Sequence, residues 1–178
     1  MRKIIYYVAV SLDGYIAGKE NDISAFAIGG EIVDQYRYDL QSFDTVIMGR
    51  NTYEFGYLYG LKPGQPAYPH MEHFIFSNSL KFEETDEKVK VVPVNLDRVR
   101  ELKNGVGSDI YLCGGGVFAG WLMENGMIDE LKLKINPIIL GTGIRLFGDS
   151  KRPTKLKVNF NQSYEDGYRI LSSKVLNS

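Results

Sequence analysis

Three stretches of the sequence place phosphate-compatible residues directly after an apolar, strand-like run. In "DIYLCGGGVFAGWL" the glycines Gly114, Gly115 and Gly116 separate a strand pattern from a helical one. Fixing three consecutive glycines has a large entropic cost, so such a run is expected where something must approach the backbone closely. A helix starting just behind it offers unpaired N–H groups and a partial positive charge, which suit a phosphate. In "TVIMGRNTYE" the run ends at Gly49, and Arg50 and Thr52 follow, a guanidinium fork and a hydroxyl in the first helical turn. In "HFIFSNS" the small polar residues Ser77 and Asn78 again come at once after a strand pattern. Each stretch alone also reads as plain architecture: a tight turn, a solvated arginine, a loop. Together they point to a phosphate-bearing ligand, because ligands of open α/β sheets gather at the carboxyl ends of the strands. From Gly114 the glycine spacing is G-x-G-x-x-x-G and lies late in the chain, which excludes the Rossmann dinucleotide fingerprint.

Other reactive side chains carry less. His70 and His73 in "HMEH" would lie on opposite faces of a strand, with no carboxylate–cysteine cluster to complete a site, so no metal is expected. Cys113 has no evident partner base and reads as a small buried apolar residue. As the single cysteine of 178 residues it excludes an internal disulfide framework and fits a reducing, cytoplasmic setting. A formal net charge of −1 gives no field for nucleic acid or an anionic membrane. No apolar run approaches the length of a transmembrane helix.

These residues need elements to hold them, and the sequence alternates strand and helix patterns. "KIIYYVAV", "TVIMG", "HFIFS", "VKVVPV", "DIYLC" and "DELKLKINPIIL" read as strands, most of them apolar enough to be covered on both faces. "GEIVDQYRYDLQSF" spaces Ile32, Tyr36 and Leu40 at helical intervals. "NLDRVRELKNG" combines an asparagine cap, the stripe Leu96, Val99, Leu102 and a closing Gly105. "SLDGYIAG" reads as a turn through Asp13-Gly14, and Trp121 falls on a helix with Phe118 and Leu122, in core positions. The C-terminal "TKLKVNFNQSYEDGYRILSSKVL" predicts two long strands joined at Asp166-Gly167. The alternation implies parallel strands with crossover helices, and the closing hairpin adds an antiparallel edge, in one α/β domain over residues 1–178.

The segments "VAVSLDGYIAG", "VIMGRNTYE", "FSNS" and "CGGGVFAGWLMENGMIDELKLKINPIILGTGIRLF", in this order, resemble the dihydrofolate reductase-like superfamily. The resemblance is to the group related to the C-terminal reductase domain of bacterial riboflavin-biosynthesis deaminase-reductases, and it covers nearly the whole chain. It implies a mixed, mostly parallel eight-stranded sheet flanked by helices, with NADPH across the strand ends passing hydride to a small heterocycle such as a ribosylaminopyrimidine or a pterin. By resemblance, backbone groups of Val8 and Ala9 and the loop residue Ile16 lie near the nicotinamide. Gly49, Arg50 and Thr52 hold the diphosphate and the adenosine phosphate, and Ser77 and Asn78 face the adenosine ribose and its 2′-phosphate. Gly114, Gly115 and Gly116, with Val117 and Phe118, cradle the diphosphate from the other side, across a Gly–Gly bond that is sometimes cis in this family. Asn78 stands where relatives commonly carry a base, so a preference for NADPH over NADH rests on Arg50. Asp34 on the first helix and Asp13 in the turn are the candidate acids for protonating the reduced ring. A homodimer is implied by resemblance only. Dihydrofolate reductase activity proper and a non-catalytic nicotinamide-nucleotide-binding module stand beside this reading as alternatives.

Overall fold

The computed structural model describes residues 1–176. Its strands are β1 (Ile4–Ser11), β2 (Tyr15–Ala17), β3 (Thr45–Gly49), β4 (Glu72–Phe76), β5 (Val89–Val92), β6 (Ile110–Gly114), β7 (Glu130–Asn136), β8 (Ile144–Arg145), β9 (Lys155–Ser163) and β10 (Arg169–Leu176). The α-helices are α1 (Glu31–Leu40), α2 (Arg50–Phe55), α3 (Leu96–Asn104) and α4 (Gly116–Glu124). Eight strands form one sheet in the order β5-β4-β3-β6-β1-β7-β10-β9. Pairings from β5 through β7 are parallel, whereas β10 runs antiparallel to both β7 and β9. This is the mixed, mostly parallel sheet with a C-terminal hairpin that the sequence implies.

Side chains alternate across the pleat, so each central strand feeds two cores. On one face Ile4, Tyr6, Ile47, Phe74, Phe76, Ile110 and Leu112 pack with Val99 and Leu102 of α3 and with Phe118 and Leu122 of α4. On the other, Tyr7, Val46, Met48, Ile75 and Tyr111 pack with Leu40 of α1 and Tyr53 of α2. Full burial of each large apolar side chain contributes roughly 1.5–3 kcal/mol, which explains why these strands read as continuous apolar runs. The cap of α3 is as expected: the Asn95 side-chain oxygen accepts from the Arg98 amide at 2.8 Å. Trp121 packs against the first core, its ring stacked on that of Phe118.

Two local expectations are corrected. The turn "SLDGYIAG" contains β2, which pairs antiparallel with β8 in a separate two-stranded sheet. "HMEH" is not all strand, because β4 begins at Glu72 and His70 precedes it. His73 lies in the core with partners on both ring nitrogens: Nδ1 donates to the Met71 carbonyl at 3.0 Å and Nε2 accepts from the Tyr68 amide at 3.1 Å. Burial lowers its pKa to about 4, so it is a neutral structural imidazole.

Candidate cofactor and substrate site

The sheet order makes a crevice before any side chain is considered. Out of β6 the chain turns to α4 on one face, whereas β1 and β3, its two neighbours, lead to α1 and α2 on the other. Adjacent parallel strands whose connections leave on opposite faces open a cleft at their carboxyl ends. The three stretches singled out in the sequence all lie at that edge, because β3, β4 and β6 are parallel and the stretches follow their last residues.

The glycine run separates into two jobs. A Cβ on Gly115 would lie 2.9 Å from the Thr52 hydroxyl, and one on Gly114 would meet the same hydroxyl at 3.8 Å. The bond between these two glycines is cis. Both therefore border α2 and the cleft. Gly116 faces protein instead: its Cβ would sit 2.1 Å from the Arg145 carbonyl oxygen. Gly120, one turn on, is similarly crowded by the Phe147 carbonyl at 2.3 Å. The Phe118 side chain is buried against Phe76, with ring centroids 4.8 Å apart, so that residue can offer the cleft only its backbone. Val117 is 79% exposed at the start of α4. Helix geometry leaves the amides of Gly116, Val117 and Phe118 without partners inside α4. Gly49 lets β3 approach α4, since a Cβ there would be 3.2 Å from that of Phe118.

Arg50 spans the β3–β4 side of the cleft. Its Nε donates to Glu54 at 2.9 Å and its Nη1 to the Ser79 hydroxyl at 3.1 Å, tying α2 to the loop after β4. Ser79 belongs to the quoted "FSNS" but sequence reasoning passed over it. Ser77 is turned inward to its own loop, its hydroxyl oxygen accepting from the amides of Ser79 and Leu80. The Asn78 side-chain oxygen is likewise engaged by the Val94 amide at 2.9 Å. Arg50 is thus the cation among the assigned phosphate-side residues. A pyrophosphate fits this donor set, with open helical amides on one wall, a guanidinium on the other, and glycines where a side chain would intrude.

At the other end of the cleft, Val8 and Ala9 occupy the second half of β1, Val8 on the α4 face and Ala9 on the α1 face. Ile16 sits on β2, which is pinned by its pairing with β8 and by the Leu146 amide donating to the Gly14 carbonyl. Asp13 is a hub of loop contacts. It accepts from the Ser11 hydroxyl at 2.6 Å and from the amides of Leu140 and Gly141 at 3.1 and 2.7 Å. The Ser11 hydroxyl, with those amides, holds the Asp13 carboxyl below the usual carboxylate range. An ionised carboxylate so engaged has no proton to give near neutral pH. In Asp13→Ala the Leu140 and Gly141 amides should exchange markedly faster with deuterium, and wild-type protection should fade as pH drops through the depressed Asp13 pKa. Unchanged protection would show that the loop is held by other contacts.

Asp34 points away from the sheet: its side chain is 73% exposed and meets Arg37 at 3.5 Å. It lines an open groove of about 440 Å³ with Glu31, Gln35, Tyr38, Gln162 and Tyr164. The acid of α1 that does reach the sheet is Asp39, which sequence reasoning missed. Its carboxylate accepts from Tyr7 Oη at 2.9 Å, Gln35 Nε2 at 2.9 Å and Lys132 Nζ at 2.6 Å. Its place three residues after Tyr36 on the inward stripe was the available signal. Burial, followed by the Asp39 charge, raises the Tyr7 hydroxyl far above its ordinary value.

The chain is 32% identical over 173 residues to the uncharacterized protein YwjB of Bacillus subtilis, covering 95% of this chain and 96% of that one. Among solved structures it superposes on the deaminase/5-amino-6-(5-phosphoribosylamino)uracil reductase of Thermotoga maritima with a TM-score of 0.69 at 15% identity. That match takes in 98% of this chain but 57% of the bifunctional protein. Dihydrofolate reductase from Enterococcus faecalis, solved with NADP(H), matches with a TM-score of 0.69 at 12% identity over 98% of this chain and 97% of its own. The family described as the RibD C-terminal domain matches residues 2–172. With its strand order, its hairpin and its glycine turn in place, the chain belongs to the RibD C-terminal domain family.

Proposed function

We propose that the protein is an NAD(P)H-dependent reductase that transfers hydride to a small heterocycle, a ribosylaminopyrimidine or a pterin-like ring. The observation that carries this reading is the cleft around the end of β6. One flank, toward β3, is furnished for phosphate by Gly49, Arg50, Thr52 and the α4 amides; the other, toward β1, presents Val8 and Ala9 and has no charged side chain on those two residues. When bound, the nicotinamide would supply a hydride to an acceptor stacked beside it. This chain's own residues would do the rest. Arg50 and the amides of Gly116, Val117 and Phe118 would hold the phosphates, and Gly114 and Gly115 would admit them to the backbone. Backbone groups of Val8 and Ala9 would orient the nicotinamide, with Ile16 on the strand pair beside it. Ser77 and Asn78 would shape the loop against the adenosine ribose. The likeness in fold to reductases of this family, and the residue-level fit to a dinucleotide, both support this reading.

Titration of the purified protein with NADPH and with NADH, followed by nicotinamide fluorescence and thermal shift, tests it. Micromolar binding of either is the expected result. No binding at millimolar cofactor would refute the reductase reading. The family resemblance also carries the proposals of a homodimer and a cytoplasmic location, which light scattering and fractionation would check.

A further inference from the structure

Lys134 is a mostly buried lysine without an ion pair. It lies on β7 between Ala9 of β1 and Ile170 of β10, and only 6% of it is exposed. Its neighbour on the same face, Lys132, is paired with Asp39 at 2.6 Å and lies over the Tyr7 ring. Lys134 has no such counter-ion: among the described residues no carboxylate or hydrogen-bond acceptor meets its Nζ, whose close neighbour is the Tyr36 ring at 5.2 Å. The nearest charges do not help it. Asp39 is already engaged by Lys132, Tyr7 and Gln35, Asp34 turns outward to Arg37, and Arg37 itself repels. Burial, with the Arg37 charge adding to it, lowers the pKa of the Lys134 ammonium. A buried cation without a partner is costly, and a hydrophobic residue of similar size would be more stable in its place.

A polar group is orphaned in the adjoining cluster. The Tyr164 hydroxyl is buried without a hydrogen-bond partner, and its ring packs in the cluster that contains Ile170, the strand neighbour of Lys134. Lys134, which lacks an ion pair, and the orphaned Tyr164 hydroxyl thus both adjoin Ile170 under α1, and Lys134 pairs across to Ala9 of β1. The alanine puts only a methyl on this face of β1 beside Lys134.

We propose that Lys134, with Tyr164 as its secondary donor, binds the hydride acceptor by donating to a carbonyl or anionic oxygen on its ring. This rests on reading the adjoining cleft as a hydride-transfer site. The site would then take rings that present oxygen acceptors and reject cationic, amino-substituted ones. Two donors supply the ligand's acceptors with hydrogen bonds that neither side chain makes to the protein, and a charge-assisted one is worth about 1.5–3 kcal/mol.

The test is calorimetric titration of wild type, Lys134→Met and Tyr164→Phe, each with and without NADPH. The probes are barbiturate, an anionic pyrimidinetrione, and a 2,4-diaminopyrimidine in its cationic form. Barbiturate should bind wild type and lose about 10- to 100-fold in affinity in Lys134→Met, the range of one charge-assisted hydrogen bond. Tyr164→Phe should lose a few-fold (about 2–10-fold) by the same reasoning for a neutral donor. The diaminopyrimidine should bind wild type more weakly than Lys134→Met. Lys134→Met should melt no lower than wild type and keep its NADPH affinity, showing that fold and cofactor site are intact. The proposal is overturned if barbiturate fails to bind wild type in either state, if it binds Lys134→Met equally well, or if Lys134→Met melts well below wild type. Should NADPH itself not bind, the reductase reading falls, while the barbiturate comparison on the free protein still decides the role of Lys134.

Discussion

Gly116→Ala should unfold well below wild type, whereas Gly115→Val should keep the fold and lose the cofactor. The two substitutions sit one residue apart in the same glycine run but meet different obstacles. At 116 the added methyl would fall 2.1 Å from the Arg145 carbonyl oxygen and 3.1 Å from the Gly148 amide nitrogen. Both are backbone atoms of a turn closed by the Gly148 amide donating to that same carbonyl. Backbone on both sides cannot rotate out of the way, so α4 or the turn must move. Overpacking of this kind costs about 3 kcal/mol at the upper end of its usual range, which for a chain of this size lowers Tm by roughly 6–12 °C. At 115 the obstacle is the end of a threonine side chain, which can turn aside. What valine would occupy there is the space bordered by Thr52 where a phosphate is proposed to lie. Thermal melts and a nicotinamide titration on both variants separate the effects. A stable, cofactor-binding Gly115→Val would sink the cradle, and an unaffected melting temperature in Gly116→Ala would mean that the Arg145 turn yields easily.

Arg50→Ala should weaken NADPH binding by about 10–100-fold, the loss of one or two charge-assisted hydrogen bonds. NADH, which lacks the 2′-phosphate and offers Arg50 only the shared diphosphate, should lose less. The reason is distributive: Ser77 and Asn78 spend their side-chain oxygens on loop amides, which leaves the guanidinium as the cation able to meet a 2′-phosphate. Breaking its links to Glu54 and Ser79 frees little, because both are partly exposed contacts of small individual worth. Equal losses for the two cofactors would put Arg50 on the diphosphate alone.

Much of this was legible in the sequence where local pattern decides structure. The apolar strands, the stripe and cap of α3 and the polar residues at strand ends all follow from short-range spacing, and the crevice follows from the alternation of strands and helices. What escaped reading depends on partners far along the chain. β2 and β8 are three and two residues long and pair across more than a hundred residues, with no periodicity to announce them. The glycine at 116 reads like its neighbours, yet its reason is a carbonyl at 145. Lys132 and Lys134 alternate with leucine and isoleucine as a solvent-facing edge would, yet Lys134 is buried and Lys132 half-buried against the rings of Tyr7, Tyr36 and Phe160. Asp34 and Asp39 differ by five residues on one helix, enough to send one carboxylate outward and the other onto the sheet.

The departure of β6 toward one face and of β1 and β3 toward the other has an evolutionary reading. A cleft that arises from chain routing needs no particular side chain to exist, so substitution along its walls does not erase it. A dihydrofolate reductase sharing 12% of residues can keep the same fold over nearly the whole chain. Selection is then free to retune what the walls recognise, one residue at a time, without first inventing a place for the ligand. In such a lineage new substrates are acquired by rewriting the lining, and the scaffold is inherited as a standing vacancy.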